Sequence, residues 1–471
     1  MRPEDNGLTL PVTATQYFRP SPENAEWQSS ANFIPGLHWR SHVTHTAAVT
    51  LTVDSGVVPQ PGALAASPLQ ELQRRPSMSN TRYLFPQGVA SGDPRDVSIV
   101  FWTRCVATKG NAEAIAVRLD VSTEPDFATT VARVRLNALP LYDFTVRAKV
   151  TGLRPTTTYY YRFVANGDVS VAGMARTAPS PTDANPQVRF AWFTCQDWKV
   201  NHWQAMALMA AEPDLDFIVH VCDYIYETVG GPIADPQEVA HPPIQLPDGR
   251  PMPDGGVYAN TLEDYRTLYR TYRSDDRLQA LHRQVAMIAI WDDHEFSDDC
   301  WQDHQAYTNE AKQETQRRRN ANQAWAEYMP IDWGDVDFRP DDASYTNIRI
   351  YRDFTFGSLM QLIITDERLY RDGPVVSART YAEDHHHDPV NGDDAAGSRY
   401  FVNLSLLKRS EEQDTARLGR APSMLGPVQT QWWKSTLKAS RATWKVWGNE
   451  VMLNRLWAQC ARQTRRPTRL S

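Results

Sequence analysis

Three short apolar runs, each followed at once by polar and acidic residues, constrain the fold of this chain more than any other feature. The runs cover residues 188–193, 217–221 and 285–290, and helical periodicity lies between them, most clearly over about 261–283. Strands that alternate with helices predict an open α/β sheet with parallel strands. Ligands bind outside the carboxyl ends of such strands, so the residues that follow each run are the first candidates for a functional site.

The residues after the three runs supply carboxylates, an imidazole and a thiol. They are Thr194-Cys195-Gln196-Asp197, Cys222-Asp223-Tyr224-Ile225-Tyr226-Glu227 and Trp291-Asp292-Asp293-His294-Glu295, with Asp298-Asp299 close behind. Carboxylates at adjoining strand ends repel one another unless a cation neutralises them, so the pattern favours a multivalent metal site, in its sharpest form a dinuclear centre. The alternative for Asp223 or Asp293 taken singly is a helix or turn cap, which is common for aspartate.

The rest of the chain divides into three further segments. Residues 1–82 are rich in proline, serine and threonine with little periodicity and are predicted to be an irregular leader. Residues 83–179 contain short alternating runs between turn residues, which predicts a β-sandwich whose later strands resemble a fibronectin type III domain. Residues 186–452 form the predicted α/β domain, and residues 453–471, with arginines but no acidic residue, are predicted to be an unrelated basic tail.

Composition disfavours several classes of protein. The 471 residues include 49 Lys and Arg against 56 Asp and Glu, a formal net charge of −7, which disfavours a nucleic-acid-binding protein. No run of about 18 apolar residues predicts a membrane span. The five cysteines contain no CxxC pair, which argues against a zinc ribbon or a thioredoxin-like redox site. The first 30 residues lack the basic and apolar regions of a secretory signal peptide.

Several motifs together resemble those of the PhoD-type alkaline phosphatase/phosphodiesterase family, a metallophosphatase-like group, and stand in that family's order. The motifs are Phe85-Pro86-Gln87-Gly88-Val89-Ala90-Ser91-Gly92-Asp93-Pro94 with Trp102-Thr103-Arg104, then 223–227 and 291–295, supported by 265–273, 324–330, 366–371 and 442–450. The likeness runs from about residue 83 to residue 452. It implies a fibronectin III-like β-sandwich followed by an α/β metallophosphatase-like catalytic domain of the four-layer α/β/β/α type.

The resemblance also implies an activity and a set of metal ligands. Members hydrolyse phosphoric monoesters and diesters with Fe3+ and Ca2+, so Cys195, Asp223 and Tyr226 are expected to be ligands, and Asp293 and Asp298 are expected to add carboxylates. Thiolate and phenolate stabilise a trivalent cation, whereas carboxylates suit calcium or other divalent metals. The alternative for Cys195 is a small buried hydrophobic residue at a strand end.

Further residues are candidates for catalysis or substrate binding. His294 is the expected proton donor or phosphate contact, and Glu295 is expected to orient its imidazole. Arg266 and Arg270 lie one helical turn apart and are candidate phosphate contacts, although arginines at this spacing more often form a solvated face. The stretches His385-His386-His387-Asp388 and Arg317-Arg318-Arg319 are predicted to be a solvated loop and a solvated helical face.

The sequence departs from the family pattern in three places. Cys222 stands where the family has glycine, and Asp298-Asp299 stand where it usually has asparagine, so both changes are expected to disturb the metal site. After residue 452 the family continues with a Gly-Asp-x-His motif that supplies further ligands, and the sequence lacks this motif. We therefore expect a C-terminally truncated catalytic domain.

Together these features predict a phosphoric ester hydrolase that uses a multinuclear metal site to activate water for in-line attack on phosphorus. The alternative is a catalytically inactive, truncated homologue that binds phosphate esters or a partner. The expected partners are small-molecule phosphate esters, without nucleic acid, and the chain is expected to be a monomer. Export to the periplasm or the medium is implied by the resemblance.

Overall fold

The computed structural model describes most of the chain between residues 81 and 451. The described residues are 13–16, 46–52, 81–110, 113–185, 187–231, 239–252, 255–305, 312–377, 380, 402 and 404–451. The histidine-containing stretch 385–388 and the tail 453–471 lie outside the described residues, so their predicted structures stay predictions.

Most of the strands are short, and they fall into one large sheet and several smaller ones. In chain order they are β1 (Thr13–Gln16), β2 (Thr46–Thr52), β3 (Tyr83–Leu84), β4 (Val89–Gly92), β5 (Ser98–Arg104), β6 (Val106–Ala107), β7 (Ile115–Ser122), β8 (Thr130–Ala138), β9 (Thr145–Thr151), β10 (Thr158–Ala165), β11 (Asp168–Val169), β12 (Gly173–Arg176), β13 (Gln187–Phe193), β14 (Phe217–His220), β15 (Thr228–Gly230), β16 (Arg250–Pro251), β17 (Gly256–Tyr258), β18 (Met287–Ala289), β19 (His304–Gln305), β20 (Lys312–Gln313), β21 (Asp337–Phe338), β22 (Ile348–Arg349), β23 (Arg352–Phe356), β24 (Met360–Ile364) and β25 (Trp444–Gly448).

The α-helices of the described residues all follow β13 in the chain. They are α1 (Gln204–Ala211), α2 (Leu262–Tyr272), α3 (Asp276–Gln284), α4 (Thr315–Tyr328), α5 (Leu404–Leu418) and α6 (Gly426–Ala439). The single helix predicted over 261–283 is two helices. Thr261 and Asp264 form a capping box that begins α2, and the Asp275 side chain accepts hydrogen bonds from the backbone N–H groups of Arg277 and Leu278 and begins α3.

The large sheet has the order β1-β2-β13-β14-β18-β4-β5-β9. Its central strands β13, β14, β18 and β4 run parallel, and β14 and β18 are buried along their whole length, as expected for parallel strands covered on both faces. The predicted parallel α/β arrangement of the three apolar runs is therefore confirmed. Strands β1 and β2 lie within the predicted irregular leader, and β2 pairs antiparallel with β13, so that part of the leader is more regular than its composition suggests.

A two-sheet sandwich lies at one end of this large sheet. Its β4, β5 and β9 strands face a second sheet built on β7, β8 and β10, and their inward side chains form one apolar core that includes Phe101, Val146, Leu119, Tyr161 and Phe163. Side chains along β10 alternate between buried and half-buried, the period expected of a strand with one face on a core. Since β4 pairs with β18 at Gly92 and Met287, one sheet runs through both the sandwich and the α/β region.

A third sheet, β23-β24-β25, packs on the central strands. The Phe217 ring of β14 stacks on the Phe356 ring of β23, with ring centroids 4.2 Å apart. The apolar core that joins these two sheets also takes in side chains of α2, α3 and α4. Among the described residues, no helix has both the length and the apolar character needed to cross a bilayer.

Candidate metal centre

The carboxyl ends of β13, β14 and β18 bring the predicted site residues together. The parallel register sets Phe193 beside His220 and His220 beside Ala289, so the residues that follow these strands emerge at one edge of the sheet. The Cys195 N–H donates to the Cys222 carbonyl at 3.0 Å, which extends the register past the strand ends. Cys195 and Asp223 have φ angles of 54° and 43°. Such left-handed conformations cost energy for residues other than glycine and are concentrated at functional sites.

Three overlapping groups of side chains have the donor atoms and spacing of metal sites. In each group the donor atoms lie within 4.8 Å of one another, and the groups are Cys195/Cys222/Asp223, Asp223/Asp293/His294 and Asp293/Asp298/Asp299. Asp223 belongs to the first two groups and Asp293 to the last two. These groups, linked by shared carboxylates, bring together the predicted residues Cys195, Asp223, Asp293, His294 and Asp298.

Burial and the nearby charges shift the pKa values of the carboxylates in this centre. Burial raises the pKa of Asp223 well above its ordinary value, and Asp293 adds to the effect although His294 opposes it. Burial likewise raises the pKa of Asp292 to about 7. For Asp293, burial acts in the same direction, but the charges of Arg368 and His294 hold its pKa below the ordinary value. Buried carboxylates this close together are costly to ionise and are stabilised by a bound cation.

The Cys195 thiol and the Tyr226 phenol lie against the same carboxylate. The Tyr226 hydroxyl donates a hydrogen bond to Asp223 Oδ2 at 3.0 Å. The hydrogen bond between the Cys195 and Cys222 sulfurs lowers the pKa of Cys195 to about 6, against the effect of burial. The structure therefore places Tyr226 beside Asp223, as expected of two side chains that serve the same ion.

His294 is held by Glu227, a residue to which the sequence analysis assigned no role. His294 Nδ1 lies 2.6 Å from Glu227 Oε2, and the ring of Tyr226 packs on the imidazole with centroids 4.2 Å apart. Burial lowers the pKa of His294, but the carboxylates of Glu227, Asp293 and Asp223 outweigh it and raise the pKa well above its ordinary value. Glu227 lies in the same strand-end motif as Asp223, which is the signal that could have identified it.

Glu295 does not orient His294, and this prediction is wrong. Its carboxylate accepts hydrogen bonds from the backbone N–H groups of Tyr224 at 2.6 Å and Asp292 at 2.8 Å. Glu295 therefore ties together the turns after β14 and β18 and acts as a positioning residue. The physical reason is that its side chain turns towards its own loop, where two buried N–H groups need an acceptor.

A second residue missed by the sequence analysis, Arg368, neutralises two of the carboxylates. Its Nε donates to Asp292 Oδ1 at 2.5 Å, and its NH2 group lies 3.3 Å from Asp293 Oδ1. Arg368 comes from the segment after β24, within the 366–371 motif that contributed to the family resemblance. The motif marked this region, but only the fold brings the arginine to the carboxylates.

Arg266 and Arg270 are not brought to the candidate centre. The guanidinium of Arg266 forms two hydrogen bonds with Glu327, and that of Arg270 contacts Asp143 and Glu263. None of these acceptors belongs to the metal-binding groups. The arginines contact carboxylates between helix α2, helix α4 and the sandwich, so their prediction as phosphate contacts is wrong.

The prediction of a solvated face for residues 317–319 is also wrong for two of the three arginines. Arg317 and Arg318 are buried, and their guanidinium groups lie over aromatic rings, Arg317 over Tyr258 and Arg318 over Trp291. Arg317 also donates to the backbone carbonyl of Ala259 at 2.6 Å. Aromatic faces compensate part of the hydration that both charges lose on burial, and Arg317 also gains carbonyl acceptors.

The side chains present fit both kinds of ion that the resemblance implies. Cys195, Asp223 and Tyr226 supply sulfur, carboxylate and phenol donors, the set that suits a transition metal. Asp293, Asp298 and Asp299 supply only carboxylate oxygens, the donors that calcium prefers. Burial raises the pKa of Asp223 well above its ordinary value despite the charge of His294, which supports the same fit.

Comparisons with known proteins agree with this geometry. A model of PhoD-like phosphatases matches residues 190–469, and a model of the N-terminal domain of PhoD-like phosphatases matches residues 70–179. The chain is 30% identical over 393 residues to alkaline phosphatase D of Bacillus subtilis (strain 168), an alignment that covers 81% of this chain and 58% of that protein. A solved structure of PhoD aligns with a TM-score of 0.60 at 28% identity, covering 79% of this chain and 63% of that one. The chain thus spans less than two thirds of the length of both relatives.

Proposed function

The chain belongs to the PhoD-like phosphatase family, and from that membership we propose that it is a metal-dependent hydrolase of phosphoric monoesters and diesters. The observation that carries the proposal is the set of three overlapping donor groups at the ends of β13, β14 and β18, joined through Asp223 and Asp293. Two-metal sites of this kind serve phosphatases and nucleases, in which they bind the attacking and leaving oxygens of the phosphoryl group.

The proposed metals are Fe3+ and Ca2+, held by different parts of the centre. Cys195, Asp223 and Tyr226 would bind the iron, because thiolate and phenolate are anionic donors that stabilise a trivalent ion. Asp293 and Asp298 would bind calcium together with Asp299. Family membership supports metal dependence in general, and the identity of each ion is proposed from the resemblance, with which the donor chemistry of this chain is consistent.

The bound cations and the side chains around them would have separate roles in the reaction. Bound cations would lower the pKa of water for in-line attack on phosphorus and would neutralise the phosphoryl oxygens. Glu227 holds His294 Nδ1, and Nε2, which lies 3.7 Å from Asp298 Oδ1, would donate a proton to the leaving-group oxygen. Arg368 favours the ionised forms of Asp292 and Asp293, and Glu295 fixes the two turns from which the donors project.

The same proposal includes the type of the sandwich, the arrangement of the layers, the substrates, the oligomeric state and the location of the protein. We propose that the sandwich is fibronectin III-like and that the two stacked sheets with their helices form the four-layer α/β/β/α arrangement, which the Phe217–Phe356 stacking supports. Small phosphate esters are the proposed substrates. A monomeric, exported protein is the proposed state, by resemblance.

Hydrolysis of p-nitrophenyl phosphate and of bis(p-nitrophenyl) phosphate at alkaline pH, with Fe3+ and Ca2+ supplied, tests this proposal. Asp223→Asn should abolish turnover of both esters, since it removes a carboxylate shared by two donor groups. Asp120→Asn is the matched control, because Asp120 is a buried carboxylate in the sandwich, paired with Arg118. Turnover that Asp223→Asn leaves intact would contradict the proposal. Metal binding without turnover in the native chain would instead favour the inactive homologue.

A further inference from the structure

We propose that Cys222 is a second thiolate ligand beside Cys195, so that the first donor group is a two-sulfur site for a thiophilic transition-metal ion. The inference rests on the proposed function, because it assigns a further ligand to the same centre. Thiolate ligands favour zinc, iron and other soft or borderline ions over calcium. Cys222 would therefore set which ion occupies this end of the centre.

The sheet itself brings the two sulfurs together. Parallel pairing of Phe193 with His220, carried two residues further, sets Cys195 opposite Cys222, and the backbone bond between them has a length of 3.0 Å. Their Sγ atoms lie 3.4 Å apart, and both lie within 4.8 Å of the Asp223 carboxylate. The proximity thus follows from strand register rather than from a chance side-chain rotamer.

The sulfur separation matches two ligands of one ion better than a disulfide. Two thiolates bound to one tetrahedral ion at about 2.3 Å each are about 3.8 Å apart. A disulfide needs sulfurs at about 2.05 Å. The observed 3.4 Å is therefore within roughly 0.4 Å of the two-ligand spacing but more than 1 Å from a covalent bond.

The surroundings of the Cys222 thiol are also compatible with binding of an ion by its sulfur. The thiol donates a hydrogen bond to Asp292 Oδ2 at 2.9 Å, so its one hydrogen is taken up by that carboxylate. Cys222 is 7% exposed, so the sulfur is shielded from bulk water. Binding would form two metal–sulfur bonds and release two thiol protons to solvent, with no change of oxidation state.

Charge-transfer absorption of the Co2+-loaded protein tests the inference. The full chain would be loaded under a phosphine reductant, and the near-ultraviolet sulfur-to-cobalt band recorded for the native protein, Cys195→Ser and Cys222→Ser. Each variant should retain about half of the native band, because one of two thiolates remains. Cys105→Ala is the matched control, since Cys105 is fully buried in the sandwich core, and it should retain the full band. A full band in Cys222→Ser would overturn the inference.

X-ray absorption spectroscopy of the Zn2+-loaded native chain tests the same inference without a variant. Two sulfur neighbours per zinc at about 2.3 Å are expected, and one or none would overturn the inference. Ester hydrolysis by the native chain with Fe3+ and Ca2+ supplied separates the two proposals. One sulfur with full hydrolysis would refute the ligand role of Cys222 alone, whereas two sulfurs without hydrolysis would refute the hydrolase and leave the ligand role standing.

Discussion

The Nδ1 atom of His294 lies 2.6 Å from Oε2 of Glu227, a carboxylate with no solvent-exposed surface. The other oxygen, Oε1, accepts the backbone N–H of Asp298 at 2.7 Å. One side chain therefore fixes both the imidazole and the loop that carries a candidate ligand. Such carboxylate–histidine pairs set the tautomer and the orientation of the ring.

Glu227→Gln should lower kcat for a nitrophenyl phosphodiester by about 10- to 100-fold, the usual cost of losing an orienting carboxylate. The amide oxygen can still accept from Asp298, but the amide NH2 cannot accept from His294 Nδ1. Glu327→Gln is the control, because Glu327 is a buried carboxylate that pairs with Arg266 outside the metal-binding groups. Equal kcat values for the two variants would refute the role of Glu227.

Arg368→Gln should destabilise the protein in the presence of a chelator by about 3–5 kcal/mol, because it leaves the buried carboxylates of Asp292 and Asp293 without their cation. A divalent metal should restore part of this loss, since it neutralises the same carboxylates. Urea unfolding with and without metal measures both effects.

A second buried ion pair in the chain provides the control for Arg368. Arg352 donates to Asp93 at 2.7 Å, and both side chains are almost fully buried. Arg352→Gln should cost a similar free energy of unfolding, but metal should not restore it. Equal recovery of both variants by metal would argue against a shared role of Arg368 and the cation.

The ends of the strands were the part of the site that sequence could predict. Parallel strands place their carboxyl ends at one edge, so the sequence alone predicts that Cys195, Asp223 and Asp293 lie close together. Adjacency in the sequence did not indicate which carboxylate orients the His294 imidazole. Glu295 adjoins His294 in the chain, yet it serves backbone N–H groups, whereas Glu227, on another strand end, holds the imidazole.

Contacts between distant segments were the part that sequence could not predict. Arg368 reaches Asp292 from a loop 76 residues further along the chain, and no local periodicity encodes that approach. Arg317 and Arg318 show polar helix periodicity, but both lie over aromatic rings in the core, and Arg317 also donates to a backbone carbonyl. The single pairing of Gly92 with Met287, which continues one sheet from the sandwich into the α/β region, likewise has no sequence signal.

Asp143→Asn should weaken the attachment of the sandwich to the helices. The Asp143 carboxylate accepts from Arg104 of β5 and Arg270 of α2, each at 2.8 Å, and from the Tyr328 hydroxyl of α4. Burial raises its pKa, but the two arginine charges outweigh burial and hold the pKa below its ordinary value. We expect a loss of about 3–5 kcal/mol in the free energy of unfolding, the cost of breaking a buried ion pair from one side.

Urea unfolding and limited proteolysis measure the effect at Asp143. Asp126→Asn is the control, because Asp126 is an exposed aspartate of the same sandwich and should change stability by less than about 0.5 kcal/mol. Equal cleavage between the sandwich and the α/β region in Asp143→Asn and in the native chain would show that Asp143 does not hold these two parts together.

His282 should make the protein less stable as the pH falls below neutrality. Its Nε2 lies 2.7 Å from the Tyr224 hydroxyl, the residue is 2% exposed, and burial lowers its pKa well below 6.5, with Arg273 and His220 adding to the effect. Above about pH 6.5 the residue is neutral in both states. Below that pH the unfolded chain binds a proton that the folded chain does not, so the free energy of unfolding falls as the pH falls.

His282→Gln removes this proton linkage, although a glutamine amide can still hydrogen bond to Tyr224. Between about pH 7 and pH 5.5 the variant should lose about 1.3 kcal/mol less stability than the native chain. Urea unfolding with a chelator present isolates the effect from metal release. The exposed His202→Gln variant tests whether replacing any histidine alters how the free energy of unfolding changes with pH. Its pH profile should follow that of the native chain. Parallel pH profiles for His282→Gln and the native chain would mean that His282 is protonated equally in both states.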